Sequence, residues 1–203
     1  MNSRKAITDH PIQGVLSERW SPYAFDKRPV SESDLCSLFE AARWAASSYN
    51  AQPWSYIVAT QDNPAEFARV LSCLVEPNQV WAKNAPVLAL GIISKKFPHN
   101  KQDNRVALHD LGLAAGNLLV EATARGIDVH QMAGILSDKA REVFQIPENH
   151  EAYTGIAIGY YGDQSKLPDE LKQRETAPRT RKPLNEFVFT GKWAQPAPFA
   201  RKK

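Results

Sequence analysis

Hydrophobic and polar positions follow two different periods along the chain, and together they predict a mixture of helices and strands. The longest helical spacing covers 105–125, where apolar residues recur on one face and Gly126 is placed to end the helix. A second helix begins at the polar run 31–34, which resembles a capping box, and we expect it to extend to about Ala46. The segment 47–53 is polar and ends in proline, which indicates a loop.

Shorter periodic segments complete the predicted elements. One short helix is predicted over 62–74, with Pro77 breaking the pattern after it, and another is predicted to start at a cap formed by Ser137 and Asp138. Alternating or continuously apolar runs predict four strands, at 54–60, 85–93, 128–132 and 153–161.

The order of these elements does not follow a regular strand–helix–strand rhythm, so we expect an α+β fold in one compact domain. The sequence shows no internal repeat and no clear linker, so a single domain over 1–203 is predicted. The part from Gly162 onward is rich in proline and basic residues and has too few apolar positions for a core of its own. We expect the extension at 163–203 to wrap onto a partner subunit.

Composition and charge narrow the classes of function. Apolar residues make up 43% and charged residues 23%, as in ordinary globular proteins. The formal charge of +3 is too small to indicate nucleic-acid binding. The excess is concentrated in the 172–182 stretch, whose one acid is Glu175, and in Arg201, Lys202 and Lys203. These cations belong either to a solvated tail or to an anion site.

Other signals are absent from the sequence. No run approaches the length of a membrane span, and the first residues lack the apolar region of a signal peptide, so we expect a cytoplasmic protein. Cys36 and Cys73 form no CxxC pair and are expected to be reduced thiols. The histidines show no metal-ligand spacing, and no fixed dinucleotide-binding or P-loop motif is present. We therefore expect no bound metal.

Four separated segments, at 19–25, 47–54, 130–134 and 179–183, carry the remaining candidate chemistry. Each has an ordinary structural explanation, such as helix capping, turn formation, strand packing or a solvated linker. Together they favour a ligand with an anionic part and a planar amide part. Arginine suits phosphate, asparagine and glutamine can pair with a ring that carries C=O and N–H edges, and glycine allows close backbone approach. Flavin mononucleotide (FMN) meets that description.

Six motifs in order carry a resemblance to a known family over about 15–193. They are RWSPYAF, ASSYNAQPW, NQVWAKNAP, HDLGLAAGNLL, the segment IPENHEAYTGIAIGYYGD and PRTRKPLNEFVF. In this order the chain resembles the nitroreductase family of FMN-dependent oxidoreductases. The resemblance implies a central mixed, mostly antiparallel sheet flanked by helices, in an intertwined homodimer with FMN at the subunit interface.

The resemblance also implies which residues bind FMN. Arg19 and Ser21 correspond to the ribityl-phosphate side, Trp20 is implied to contribute mainly its backbone, and Tyr23 is a further position implied to contact FMN. Arg179 and Arg181 correspond to the phosphate-binding basic pair. The remaining positions implied to contact the flavin are Ser47, Ser48 and Asn50, which come from the partner subunit, and Asn78, Gln131, Met132, Ala133 and Gly134. The chain departs from relatives that carry a basic residue at Tyr23 or Trp81, or a glutamate at Ala133. No catalytic side chain is assigned.

The activity implied by the resemblance is a ping-pong reaction. A hydride passes from NADH or NADPH to flavin N5, and the electrons then pass to a small acceptor such as a nitroaromatic, a quinone or free flavin. Three alternatives remain open: a flavin reductase that supplies a monooxygenase, a specialised dehydrogenase, and a flavin-binding storage or sensor protein without turnover.

Overall fold

A computed structural model describes residues 5–200. The basic residues Arg201, Lys202 and Lys203 lie outside the described residues. The seven helices described are α1 (Gly14–Glu18), α2 (Glu32–Arg43), α3 (Pro64–Ser72), α4 (Glu76–Ala82), α5 (Ala107–Ala124), α6 (Ser137–Phe144) and α7 (Asp169–Thr176). The four strands are β1 (Trp54–Thr60), β2 (Val87–Ser94), β3 (Asp128–Met132) and β4 (His150–Gly159).

The strands form one sheet in the order β1-β2-β4-β3, and each neighbouring pair is antiparallel. Trp54 lies opposite Ile93 at one end of the sheet, and Gln131 of the edge strand β3 lies opposite Ile156. Strand β2 is buried along almost its whole length because it is central in the sheet and covered on both faces. Its continuous apolar sequence follows from that position.

Helices cover both faces of the sheet and create two hydrophobic clusters. On one face, α2 and α5 pack together, and Leu38 and Leu118 meet Ile158 of β4. On the other face, the α3–α4 region brings Leu74 and Trp81 against the sheet. Successive residues of a strand point to opposite faces, so β4 contributes to both clusters. The predicted α+β class and antiparallel sheet are confirmed, and no parallel strand pair occurs within residues 5–200.

Several predicted helix boundaries were wrong. Helix α2 is capped by Ser31 as expected, but it ends at Arg43 and not at Ala46. Pro77 does not break the helical pattern, because it lies in the first turn of α4, where backbone N–H groups have no intrahelical acceptor. Ser137 is the first residue of α6 and not its cap, since its hydroxyl donates to the carbonyl of Ala152 at 2.7 Å.

The beginning of the C-terminal extension packs on its own chain. Leu167, just before α7, and Leu171 and Glu175 on α7 are buried. Beyond α7 the chain is largely exposed, and the Trp193 side chain is 87% exposed. The wrapping of this later part around a partner subunit stays a prediction. Within the described part of the chain, no helix has the length and hydrophobicity to cross a membrane, and no cluster of metal-ligating side chains occurs.

Candidate functional site

A cleft of about 460 Å³ opens where α4, the end of β3 and α7 come together. It contains six of the residues that the sequence predicted to bind the cofactor, and these come from three separate stretches of the chain. They are Tyr23, Asn78, Gln131, Met132, Ala133 and Gly134.

The floor of the cleft is the loop that follows β3, and α4 holds it in place. The Asn78 side chain donates through Nδ2 to the carbonyl of Gly134 at 3.0 Å, and the backbone N–H of Val75 donates to the same oxygen at 3.1 Å. A Cβ on residue 134 would lie 2.6 Å from Asn78 Nδ2 and 2.7 Å from Val75 Cγ2. A side chain here would therefore have to displace Asn78 or Val75, so glycine is favoured at this close approach.

The segment that contains Arg19 and Tyr23 is fixed by a buried carboxylate of α7. The Glu175 side chain is 2% exposed and accepts hydrogen bonds from the backbone N–H of Tyr23 at 2.7 Å and from Trp20 Nε1 at 3.3 Å. Sequence reasoning did not identify this residue. Its one signal was its position as the single acid among the basic residues of 172–182.

Three arginines from opposite ends of the chain influence one another. Burial lowers the pKa of Arg19 below its ordinary value, and the neighbouring charges of Arg179 and Arg181 lower it further. Burial followed by the charge of Arg181 lowers the pKa of Arg179 as well. Like charges this close repel one another, so a bound anion at this point is favoured. Guanidinium groups bind phosphate with paired, charge-assisted hydrogen bonds.

The structure partly orients these side chains. Arg19 Nη1 donates to the Ser21 hydroxyl at 2.8 Å. Arg179 Nη1 donates to the carbonyl of Ser17 at 3.0 Å, and its guanidinium lies 5.3 Å from the centre of the Trp20 ring. The tail beyond α7 thus returns to the N-terminal segment. Arg19, Trp20, Ser21, Arg179 and Arg181, the predicted phosphate side, meet in one region.

The inner wall of the cleft is aromatic. Trp81 is only 1% exposed and belongs to the core, and the Tyr23 ring packs edge-on to it at a centroid distance of 5.2 Å. The His130 ring lies 4.5 Å from Trp81 and 4.9 Å from Tyr23. Burial lowers the pKa of His130 below its ordinary value. In the sequence, His130 begins the candidate segment 130–134, and taken alone it has the ordinary interpretation of a surface, cap or core residue.

The predicted residues Ser47, Ser48 and Asn50 do not line this cleft within one chain. The Ser48 backbone N–H donates to the buried carboxylate of Asp110 on α5 at 3.1 Å, and Ser47 Oγ accepts from the backbone of Gln52 at 3.0 Å. Tyr49, Asn50 and Gln52 have left-handed backbone conformations with φ of 52°, 51° and 46°. Such conformations cost free energy and persist where the surroundings hold them, which is frequent in functional loops. Their contribution to a partner's site stays a prediction.

Comparisons with known proteins identify the family and the fold. The profile of the nitroreductase family matches residues 16–160. A solved structure described as an oxidoreductase containing FMN superposes with a TM-score of 0.89 at 34% sequence identity, covering 96% of this chain and 99% of that chain.

Two curated proteins are similar at lower identity. The major NAD(P)H-flavin oxidoreductase of Aliivibrio fischeri is 25% identical, covering 88% of this chain and 98% of its own length. The FMN reductase (NADPH) of Bacillus subtilis is also 25% identical, covering 82% of this chain and 74% of its own length. With the match of the family profile over most of the chain, we conclude that this protein belongs to the nitroreductase family.

Proposed function

We propose that this protein is an FMN-dependent oxidoreductase that takes a hydride from NADH or NADPH and passes electrons to a small acceptor. One observation carries the proposal: three arginines from distant parts of the sequence gather beside a cleft whose floor is exposed backbone and amide groups. The similarity over 96% of the chain to an oxidoreductase described as containing FMN supports the choice of cofactor.

The donor set fits FMN. Arg19, Arg179 and Arg181 provide the charge that a phosphate monoester needs, and Ser21 adds a hydroxyl beside Arg19. Asn78 and the 131–134 backbone provide groups suited to the C=O and N–H edges of a flavin ring. When bound, FMN supplies hydride acceptance from a nicotinamide at N5 and electron transfer to a second substrate.

In the hydride step, the chain's own residues bind and orient the flavin and do not transfer protons. Glu175 fixes the 19–25 segment, and Asn78 fixes the loop at Gly134, so both sides of the cleft are set before any ligand enters. A ping-pong order follows if nicotinamide and acceptor use the same open face in turn. Nitroaromatics, quinones and free flavin are the acceptors that we propose.

The protein is proposed to act as a homodimer. Val106, just before α5, and Leu113 and Val120 on it recur every seven residues and are 37% to 39% exposed, so they form an apolar strip along one face of the helix. The loop that contains Ser48 is attached to the same helix through Asp110. A partner docked on α5 would therefore carry its own Ser47, Ser48 and Asn50 along with it, which supports a site shared between two subunits.

Titration with FMN tests the proposal directly. We expect the apo protein to bind one FMN per chain, with quenched flavin fluorescence. We also expect NADH or NADPH to bleach the bound flavin without oxygen, and a quinone or nitroaromatic to restore the colour. Protein that stays colourless after FMN addition contradicts the proposed function. Bound FMN that neither nicotinamide reduces would instead favour a storage or sensor protein.

A second candidate is a flavin reductase whose acceptor is free flavin. The similarity to the major NAD(P)H-flavin oxidoreductase of Aliivibrio fischeri favours it. Steady-state rates with free FMN, riboflavin, a quinone and a nitroaromatic, each at matched concentration, separate the two candidates. A specificity constant for free flavin well above those for the other acceptors identifies the reductase.

A further inference from the structure

His130 occupies an unusual position in the wall of the cleft. Its ring lies between Tyr23 and Trp81, and its Nδ1 lies 2.8 Å from the carbonyl oxygen of Pro22. A carbonyl can only accept, so Nδ1 carries the hydrogen and the neutral ring has its basic lone pair on Nε2. Within residues 5–200, Nε2 has no hydrogen-bond partner. The ring is thus fixed in one tautomer with one nitrogen able to take a proton.

Charged groups surround this ring from several elements. Glu175 of α7 favours the imidazolium, whereas Arg19 at the end of α1 and the burial of the ring oppose it. Burial is the largest effect, so the pKa is lowered and the ring is neutral at neutral pH.

Among the described residues that line the cleft, no cation is left uncompensated, and Arg19 lies outside that lining, on the proposed phosphate side. Among the described residues that line it, Arg174 is the one that carries a positive charge, and its Nη2 is paired with Glu170 Oε1 at 2.6 Å. A negative charge that developed on a ligand in the cleft would therefore not be balanced by an unpaired cation of the described lining.

We propose that His130 takes up a proton when the flavin in this cleft is reduced, so that its imidazolium compensates the added negative charge. The inference rests on the proposed function. A hydride brings two electrons and one proton, which leaves the flavin one charge more negative. The nicotinamide departs as NAD(P)⁺, and one further proton moves from solvent to Nε2. A negative charge in a partly buried site raises the proton affinity of a nearby imidazole.

The substitution His130→Asn tests this role while preserving the local structure. The Asn amide nitrogen lies near the position of Nδ1 and can donate to Pro22, but it cannot become charged at neutral pH. Flavin-loaded wild type and variant are reduced with NADH without oxygen at about pH 7, in weak buffer with a pH indicator. We expect the wild type to take up close to one proton more per flavin than the variant. His10→Asn, at an exposed histidine, is the matched control and is expected to behave as wild type.

A second measurement does not depend on the nicotinamide. The flavin midpoint potential of the wild type is expected to fall with pH about twice as steeply as that of His130→Asn, because two protons accompany two electrons instead of one. Equal proton uptake or equal slopes in the two proteins overturn the inference. If His130→Asn does not fold, a wild-type slope of one proton per two electrons overturns it. Failure of FMN to bind or to be reduced refutes the proposed function instead.

Discussion

The carboxylate of Glu175 accepts the backbone N–H of Tyr23 across 2.7 Å, although the two residues are 152 positions apart in the sequence. The same carboxylate accepts from Trp20 Nε1, and it is almost completely buried. A buried carboxylate is stable only when hydrogen bonds replace its lost water. This contact therefore ties α7 to the N-terminal segment and sets where Arg19 and Ser21 lie.

Glu175→Gln is expected to destabilise the protein by about 1–3 kcal/mol, because the amide must turn an N–H toward one of two donors. Denaturant unfolding measures the free energy of unfolding, and FMN titration reports the accompanying loss of affinity. Glu142→Gln, at an exposed glutamate of α6, is the control and should change neither quantity. Wild-type stability and FMN affinity in Glu175→Gln would show that the carboxylate does not hold this segment.

Arg181→Ala is expected to weaken FMN binding by about 1.5–3 kcal/mol, the magnitude of a hydrogen bond to a charged group. Arg181 is chosen because Arg179 also anchors the tail at Ser17, so its removal would mix two effects. Riboflavin has no phosphate, so its affinity should change little. Lys182→Ala, at the next exposed cation, is the control. Equal losses for FMN and riboflavin would rule out a phosphate contact.

Gly134→Ala is expected to cost about 1–3 kcal/mol of stability and to weaken FMN binding. The new Cβ would displace Asn78 and Val75, and with them the floor of the cleft. Gly14→Ala provides the control, because its Cβ would meet only Glu18 Oε1 at an ordinary 3.8 Å. Thermal unfolding and FMN titration report the two effects. An unchanged Gly134→Ala protein would mean that the loop moves away from α4 easily.

Asn50→Ala tests whether the flavin site is shared between subunits. In a mixed dimer with one wild-type and one variant chain, we expect one weakened FMN site and one of wild-type affinity, since Asn50 does not line the cleft of its own chain. To locate the weakened site, the variant chain also carries Arg181→Ala. If Asn50 contacts the flavin in the partner's site, Asn50→Ala weakens that site and Arg181→Ala weakens the site of the variant chain itself, so both sites of the mixed dimer weaken. If Asn50 instead contacts the flavin of its own chain, both substitutions weaken the same site and the other site keeps wild-type affinity.

The ionisation of Tyr56 contributes to the loss of folding stability at alkaline pH. Its hydroxyl is buried without a hydrogen-bond partner among residues 5–200, and burial raises the pKa of Tyr56 to about 12. The folded state therefore binds this proton more tightly than the unfolded state does. Its contribution to stability is complete below the ordinary pKa of 10.0 and is lost as pH rises to about 12.

Tyr56→Phe removes that titration and leaves no unpaired hydroxyl. At neutral pH we expect unchanged or slightly higher stability, because the buried group makes no hydrogen bond. Across the alkaline window, the variant should lose less stability than wild type, by at most about 3 kcal/mol. Denaturant unfolding at several pH values measures both. Marked destabilisation at neutral pH would mean that the hydroxyl has a partner in the assembled protein.

The sequence by itself determined the secondary structure with good accuracy where one period dominated. Strands β1 and β3 occur at their predicted residues, and β1 was indicated by its alternation and its content of β-forming residues. The helix around Ser31 began as its capping residues indicated. Helix boundaries near proline were harder to predict, since a proline such as Pro77 is compatible with the first turn of a helix as well as with the end of one. Local chemistry was sufficient for these features because they depend on neighbours in the chain.

The candidate site was only partly determined by the sequence. The segments that contain Arg19 and Gly134 favoured a flavin, Asn78 was implied only by the family resemblance, and the family profile confirms the family. Tertiary structure alone decided that Glu175 anchors the N-terminal segment and that His130 lies between Tyr23 and Trp81. Burial and the distances between groups far apart in sequence set their electrostatics. No local pattern encodes such distances, so these two residues emerged only once the chain was folded.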